Sequence, residues 1–208
     1  MFFDPRQHVS PAPLKHNPIN TLIAPRPVGW IGTQSKDGST NLAPFSYFNA
    51  FSADPPIVAF APNSRNAQGE PKDTLANLRD TPEFTVSIVS IGLAKQMNQT
   101  SADYSQGVSE FSESKLTPGT SRLVTPPHVG EAKAVLECKV FEIIALPKSG
   151  NGRQSHLVIG EVIGIYIDDT LIINGKIDSK ALSQVARLGH HDYLSVNDTF
   201  EMLRPELD

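Results

Sequence analysis

The chain of 208 residues has the composition of an ordinary folded protein, with 39% hydrophobic residues, 19% charged residues and a formal net charge of −4. It contains no run of Lys and Arg, which argues against nucleic acid or an acidic membrane surface as a partner. The single cysteine, Cys138, excludes an internal disulfide framework, a four-cysteine iron–sulfur site and a CxxC redox centre. We expect a cytoplasmic protein, because no apolar run resembles a signal peptide or a membrane span.

The first part of the chain consists of short segments interrupted by proline and glycine, a pattern that favours β structure joined by loops. Residues 1–17 are predicted to form an extended arm, and residues 18–208 a single domain. A short helical turn is predicted at 18–24, and strands at 28–34, 40–43, 49–52 and 57–62. Residues 35–39 are predicted to form a hairpin loop, since Asp37-Gly38 is a favourable turn pair. Asp73 or Thr74 is expected to cap a helix that ends near Arg79.

The second part alternates long strands with polar segments. Residues 84–90 predict a core strand with Phe84, Val86 and Ile88 on one face. A helix is predicted at 91–98, followed by a polar, mobile stretch at 99–125, and strands are predicted at 134–146, 156–168 and 171–173. A last helix is predicted at 179–187, with Gly189 as its C-cap. Many strands and few helices favour a closed antiparallel barrel, because closure removes exposed sheet edges.

One stretch, residues 41–56, combines aromatic side chains with neutral hydrogen-bonding groups and has no charged residue between 41 and 53. Such a stretch suits a flat heterocycle, because aromatic rings can contact its faces while amides and hydroxyls bond its edge. An edge strand followed by a turn explains the same residues equally well. The residues concerned are Phe45, Ser46, Tyr47, Phe48, Asn49, Phe51 and Ser52.

Several motifs follow one another in a specific order along the chain: Ala24-Pro-Arg-Pro-Val28 with Trp30, Asn41-Leu-Ala-Pro-Phe-Ser46 with Phe48-Asn49, Asp54-Pro-Pro56, Lys72-Asp-Thr74, Glu110-Phe111, Glu137-Cys138, a strand from His156 to Glu161, and Arg187-Leu-Gly189 with Tyr193. In this order they resemble the FMN-binding split-barrel proteins of the flavin reductase-like family, which includes flavoredoxins. The resemblance implies a mainly β fold, a closed antiparallel Greek-key-type barrel with a few short helices. It also implies FMN as the cofactor and a homodimer with the flavin near the subunit interface.

The phosphate end of FMN requires cations and N–H donors, and the sequence offers both near the start of the predicted helix. Lys72 supplies a charge and Thr74 a hydroxyl, while Ser64 and Arg65 add a hydroxyl and a fork of donors. The alternative is that Lys72 and Arg65 are solvated surface charges.

Other candidates would contact the rest of the cofactor. Ser46 and Asn49 are predicted at the edge of the ring, and Thr33 at the ribityl chain or phosphate. Backbone amides from Ala43 through Phe45 to Ser46 would stabilise negative charge on the reduced flavin. The family resemblance adds Trp30 near the ring, although a lone Trp is usually part of a core. It adds Arg26 as well, and Arg187 and Tyr193 in a motif that closes over the flavin.

His156 is the candidate catalytic residue. In two-component flavin reductases of this family a histidine at the matching position approaches the nicotinamide, whereas a strand-end histidine with a backbone partner is the alternative. The expected reaction is hydride transfer from NAD(P)H to FMN, with electrons passed to a further acceptor. A GxGxxG sequence is absent, so a dinucleotide would bind without a Rossmann cradle.

Two rival functions remain open at this point. The chain could be a flavoredoxin-like electron carrier reduced by a protein partner, or a flavin-free binding module on the same fold. No metal site is expected, because His190 and His191 lack further ligands at a suitable spacing. Cys138 is expected in the core.

Overall fold

A computed structural model describes residues 1–7, 10–65, 68, 70–105 and 107–205. The protein is mainly β with a few short helices, as predicted, and no helix in these ranges is long and apolar enough to cross a membrane. The α-helices are α1 (Ile19–Leu22), α2 (Asp73–Asp80), α3 (Ala94–Gln99), α4 (Glu110–Glu113) and α5 (Ser179–Leu182). The strands are β1 (Arg26–Pro27), β2 (Gly29–Gln34), β3 (Thr40–Phe45), β4 (Phe48–Ala53), β5 (Pro56–Phe60), β6 (Glu83–Ile88), β7 (Pro118–Gly119), β8 (His128–Val129), β9 (Ala134–Lys148), β10 (Gln154–Ile167), β11 (Ile172–Ile173), β12 (Lys176–Ile177), β13 (Val185–Arg187) and β14 (Tyr193–Ser195).

Seven strands form the main antiparallel sheet, in the order β3-β2-β6-β9-β10-β5-β4. Its longest pair is the hairpin of β9 and β10, with 15 and 14 residues. No hydrogen-bonded ladder joins the edge strands β3 and β4 in the described ranges, so the expected closed barrel is not confirmed. The sheet nevertheless curls. Four strands separate β3 from β5, yet the rings of Phe45 on β3 and Phe60 on β5 lie only 5.1 Å apart.

Strand β2 is buried on both of its faces. Trp30 and Ile31, two successive residues of β2, are each fully buried. They belong to two different apolar clusters, because successive side chains of a strand point to opposite faces. Ile31 packs inside the curled sheet with residues such as Phe84. Trp30 packs on the other face with Met97 of α3 and Phe111 of α4. The two helices and β2 thus enclose a second core outside the sheet.

The predicted hairpin at residues 35–39 is confirmed. Gln34 pairs with Thr40, and Gly38 has φ of +92°, a value that favours glycine. The Asp37 carboxylate accepts a hydrogen bond from the Ser39 backbone N–H at 2.9 Å, which closes the turn locally. This is why a short-range signal was sufficient here.

The predicted helix at 179–187 is wrong beyond its first turn. Helix α5 ends at Leu182, because Ser183 adopts a left-handed conformation with φ of +46°. The chain then forms β13, which pairs with both β1 and β14. Burial of Val185 and Ala186 in this small sheet overrides the local helical pattern, and Gly189 does not cap a helix.

Two further expectations are corrected. The N-cap of α2 is Lys72, not Asp73 or Thr74, and its side chain makes no capping bond. The predicted polar stretch at 99–125 contains α4, and it buries Phe111 and Leu116 against Trp30's cluster. Residue 106 of that stretch and residues 8–9 of the predicted arm lie outside the described residues. The division into an arm and one domain stays a prediction.

Gly32 offers a test of how tightly the outer face of β2 is packed. A Cβ at this position would meet the Pro127 carbonyl oxygen and the Thr85 hydroxyl closer than real Cβ atoms approach. We expect Gly32→Ala to lower the free energy of unfolding by about 1–3 kcal/mol, since backbone must shift to admit the methyl group. Urea denaturation would measure the change. Gly92→Ala is the matched control, since its new methyl would have only the Ser90 hydroxyl, at 4.0 Å, nearby; equal stabilities of the two variants would contradict the packing argument.

Candidate functional site

A cleft opens between the end of β3, the start of α2 and the segment that follows α3. It brings together five of the predicted site residues, which are Ala43, Phe45, Arg65, Lys72 and Thr74. It also contains residues that sequence reasoning missed, among them Asn41, Asp73, Thr100, Asp103, Tyr104 and Glu110. Asn41 and Glu110 stood in the motifs quoted above but were given no role there. The segment 100–104 carries no motif that could have indicated it.

Two cations stand at the cleft, each beside one acidic partner. The Arg65 guanidinium contacts the Asp73 carboxylate at 2.9 Å, and the Lys72 amine lies 3.6 Å from the Asp103 carboxylate. The side chains of Arg65 and Lys72 are 37% and 42% exposed, and that of Asp103 is 85% exposed. Exposed ion pairs of this kind contribute little free energy, so an incoming anion can compete for both cations.

The N-terminus of α2 adds backbone donors to the same cleft. Its cap residue, Lys72, places an ammonium group there instead of an acceptor, and its side chain makes no capping bond to the first turn. The N–H groups of a first helical turn favour an anion, because they lack partners within the helix and lie at the positive end of its dipole. Together with Lys72 and Arg65 they fit a phosphate group.

The floor of the cleft is a buried polar cluster of Asn41, Thr74 and Glu110, which are 7%, 1% and 8% exposed. The Asn41 amide lies 2.9 Å from the Thr74 hydroxyl at one end and 3.2 Å from Glu110 Oε1 at the other. The Leu42 backbone N–H donates to Glu110 Oε2 at 3.1 Å. Burial raises the pKa of Glu110, the hydrogen bond from Leu42 opposes this shift, and the negative charge of Asp73 adds to it.

Thr33 and Trp30 support the cleft from behind, and neither is exposed. The Thr33 hydroxyl accepts a hydrogen bond from the Asn77 side chain of α2 at 3.1 Å. The Trp30 indole N–H donates to the hydroxyl of Thr100 at 2.9 Å, and Thr100 itself lines the cleft. Thr33 and Trp30 therefore hold residues of the cleft in position but do not line it themselves.

Ser64 and His156 lie near the β5–β10 ladder and do not line the cleft. Ser64 is 2% exposed, and its hydroxyl accepts from the Gln154 backbone N–H at 3.1 Å. His156 is 7% exposed, with Nε2 lying 3.2 Å from Nη2 of Arg79. Burial and the positive charge of Arg79 both lower the pKa of His156, so the imidazole is neutral near pH 7. A contact with nicotinamide stays a prediction.

Arg26 is occupied by backbone carbonyl groups away from the cleft. Its guanidinium donates to the carbonyls of Asn20, of Ile23 at 2.6 Å and of Leu188 at 2.9 Å. It also lies 5.8 Å from the centre of the Tyr47 ring. These contacts tie α1 to the segment after β13, so Arg26 has a structural task in this fold whatever its contact with a cofactor.

Arg187 and Tyr193 line a second groove, on the side of α3 that bears Lys95. The Arg187 guanidinium lies 5.1 Å from the centre of the Tyr193 ring and donates to the His190 carbonyl at 2.7 Å. His191 also lines this groove. The structure thus brings Arg187 and Tyr193 together, but not with the residues of the cleft.

The aromatic side chains of the predicted heterocycle-binding stretch, residues 41–56, are divided between two environments. Phe45 and Phe48 pack against the core inside the curled sheet, whereas Phe51 on β4 is 67% exposed. Ser46 lies half-buried in the bend between β3 and β4. Asn49 is exposed, and its side-chain oxygen accepts from the N–H of the next residue at 2.9 Å. This stretch therefore contains an edge strand after a bend, and Phe45 is its one aromatic residue at the cleft.

No metal-binding group of His, Cys, Asp and Glu residues occurs in the ranges that the structure describes. Cys138 is fully buried in the core inside the sheet, as expected, and its burial raises the pKa of the thiol. The chemistry of the cleft thus consists of two cations with their acidic partners Asp73 and Asp103, helix N–H donors, the buried carboxyl group of Glu110 and neutral polar side chains.

Several known proteins are similar to this chain in sequence or in fold. An uncharacterized protein of Deinococcus radiodurans is 35% identical over 203 residues, which cover 93% of this chain and 86% of the relative. Nitrilotriacetate monooxygenase component B from Bacillus cereus superimposes with a TM-score of 0.83 and 31% identity over 93% of this chain and all of that one. The 2-nitrobenzoate 2-nitroreductase of Pseudomonas fluorescens gives a TM-score of 0.78 and 26% identity over 90% of this chain and 88% of that one.

The strongest assignment comes from the family description that matches the sequence itself. Residues 22–179 match the flavin reductase like domain, a range that includes β2 through β12 and every residue of the cleft. The motifs that suggested this resemblance, from residue 24 to the strand that begins near His156, lie within that range. Both the sequence match and the fold therefore lead to the same conclusion: the chain belongs to the flavin reductase-like family.

Proposed function

We propose that the protein is an FMN-dependent oxidoreductase that takes a hydride from NADH or NADPH and passes the electrons to a further acceptor. The observation that carries this proposal is the convergence of Lys72, Arg65 and the N-terminus of α2 on one cleft, in a chain of a flavin reductase-like family. Bound FMN would accept the hydride and release single electrons, which amino-acid side chains do not do.

The chain's own residues would bind and orient the cofactor. Lys72 and Arg65 hold the phosphate by charge, and Thr74 and the first N–H groups of α2 hold it by hydrogen bonds. Phe45 offers an aromatic face beside this phosphate site. Ser46 and Asn49 lie next along the chain and bind the edge of the ring.

Two solved structures of similar proteins are named for reactions, one as a monooxygenase component and one as a nitroreductase. They support an oxidoreductase here, whose electron acceptor is a small molecule or a protein. A second candidate is a flavoredoxin-like carrier that a protein partner reduces. The burial of His156 favours this second candidate, because a 7% exposed imidazole offers little surface to a nicotinamide ring.

Anaerobic reduction separates these two functions. We expect NADH or NADPH alone to bleach the visible absorbance of the FMN-loaded protein, because hydride transfer requires only the two rings held about 3–3.5 Å apart. His156→Ala should slow this bleaching while FMN affinity changes little, if the imidazole orients the nicotinamide. Stopped-flow absorbance under argon measures the rate of flavin bleaching in wild type and in His156→Ala. If neither NADH nor NADPH reduces the wild-type protein, but a reduced electron-carrier protein reduces it, the second candidate is established instead.

The phosphate assignment predicts that FMN binds more tightly than riboflavin. Lys72→Ala should weaken FMN binding by roughly tenfold to a hundredfold, since a hydrogen bond to a charged group contributes about 1.5–3 kcal/mol, and leave riboflavin binding unchanged. Titration calorimetry with both ligands measures the difference. Lys176→Ala, on exposed β12, is the matched control. Unchanged FMN affinity in Lys72→Ala would remove the assignment, and a wild-type protein that takes up no flavin would favour a flavin-free binding module.

The proposal includes a homodimer with the flavin near the subunit interface. Large apolar side chains on β4, β9 and β10 face outward, with Phe51, Phe141 and Ile165 exposed by 67%, 72% and 63%. Exposed apolar surface of this kind marks an interaction face. The interior of the curled sheet is filled by side chains, so a flavin ring has to lie outside it, where a second subunit can cover it.

Charge placed on this face should disrupt the dimer. We expect Phe141→Lys to shift the protein from dimer to monomer at micromolar concentration and to weaken FMN binding, because a buried lysine would be unpaired in the interface. Sedimentation velocity measures the association state. Phe200→Lys is the control, since Phe200 is 85% exposed in the C-terminal segment that follows β14. A wild-type monomer that retains FMN would exclude this arrangement.

A further inference from the structure

Glu110 is a buried carboxyl group that touches the floor of the cleft from α4. It is joined to β3 twice, through the Leu42 backbone N–H at 3.1 Å and through the side-chain amide of Asn41 at 3.2 Å. The other end of the same amide lies 2.9 Å from the hydroxyl of Thr74 at the start of α2. A single amide therefore connects the carboxyl group to a hydroxyl in the candidate phosphate site.

With Glu110 ionised, the hydrogen bonds from Glu110 through Asn41 to Thr74 can run in only one direction. The carboxylate is an acceptor, so Asn41 must turn its NH₂ group toward Glu110 and its oxygen toward Thr74. The Thr74 hydroxyl then donates its one proton to Asn41. A hydroxyl has no second proton, and Thr74 cannot donate to an anion in the cleft.

With Glu110 protonated, the direction reverses while the heavy atoms keep their places. The carboxyl O–H donates to the Asn41 oxygen, and the Asn41 NH₂ group donates to Thr74 at 2.9 Å. The Thr74 hydroxyl proton is then released toward the cleft that this residue lines. Loss of the carboxylate charge also removes a repulsion between Glu110 and an anion bound there.

The geometry points to Glu110 as a positioning residue whose protonation is coupled, through Asn41 and Thr74, to binding of the phosphate group of FMN. This inference rests on the proposed function, since it assigns the phosphate to the same cleft. It adds that the site takes up a proton at Glu110 when the phosphate binds. By reciprocity, a proton on Glu110 strengthens FMN binding by the same factor by which FMN strengthens proton binding.

Other charged groups around Glu110 determine where this coupling operates. Asp73 at the start of α2 adds negative charge and, with burial, already raises the pKa of Glu110. Asp103, from the segment after α3, adds a second negative charge at the cleft, and Lys72 and Arg65 oppose them both. Further titratable groups nearby include Tyr104 in the cleft and the exposed Glu113 on α4 itself. Asp37 lines a neighbouring groove, between the 35–39 hairpin and α4, which Glu110 also lines.

The sign of the pH dependence separates this coupling from ordinary anion binding. A phosphate monoester gains its second charge near pH 6, so a site made only of cations binds FMN more tightly as pH rises. Ionisation of Glu110 instead weakens FMN binding as pH rises. The Thr74 hydroxyl then donates to Asn41 and not to the phosphate, and a negative charge is added beside the cleft. This effect begins above the ordinary glutamate range, since burial raises the pKa of Glu110.

The experiment compares wild type with Glu110→Gln, which reproduces the protonated arrangement at every pH. Its amide NH₂ can donate to the Asn41 oxygen, and its oxygen can accept from the Leu42 N–H. FMN and riboflavin affinities are measured by fluorescence titration between about pH 5 and pH 8. We expect the ratio of the wild-type FMN Kd to that of E110Q to increase roughly tenfold across this range. Riboflavin should show no such increase, and Glu113→Gln should follow wild type.

A constant ratio between wild type and E110Q would overturn the coupling while leaving FMN binding intact. Failure of wild type to prefer FMN over riboflavin would instead overturn the proposed function. Should E110Q not fold, the Glu110 carboxyl carbon can be followed by NMR in wild-type protein carrying ¹³C-labelled glutamate. Its titration midpoint must then move to higher pH when FMN is added, but not when riboflavin is added, and an unmoved midpoint excludes the coupling.

Discussion

The burial of β2 on both faces is the constraint on which the rest of the fold depends. A strand at an ordinary protein surface exposes every second side chain, but Trp30 and Ile31 are both fully buried, in separate clusters. The curled sheet covers Ile31. Something else has to cover Trp30, and the chain uses α3, α4 and β13 for this purpose. Helix α2 packs instead with the cluster of Ile31, through Leu75 and Leu78.

The elements that cover Trp30 also build the cleft. Thr100 follows α3 directly and accepts the indole hydrogen bond, while Glu110 begins α4, whose next residue, Phe111, packs in the same cluster as Trp30. A change in the packing around Trp30 would therefore move groups that face the candidate phosphate site. The cluster around Trp30 and the cleft therefore share α4 and the end of α3 as supporting elements.

The sequence was sufficient where the determining contacts are local. The Asp37-Gly38 hairpin and the long strands β9 and β10 were predicted at nearly their observed positions, and Arg65, Lys72 and Thr74 lie close together along the chain. Glu110 and Leu42 are 68 residues apart, so their hydrogen bond leaves no local pattern. The same reason explains the error at residues 183–187, where pairing of β13 with β1, distant in sequence, decided the structure. Closure of the sheet into a barrel would require contacts of this long-range kind as well, and the structure does not confirm it.

The deep position of Cys138 has a consequence for the chemistry of the whole chain. Thiolates, not thiols, attack oxidants and disulfides, and burial holds this group in its thiol form. Since it is the one cysteine of the sequence, the folded protein exposes no thiol. Under the proposed function, reaction of reduced FMN with oxygen would generate peroxide as a side product, and the buried thiol would be spared the oxidation that follows. Sulfhydryl reagents would thus register only molecules that have opened their core.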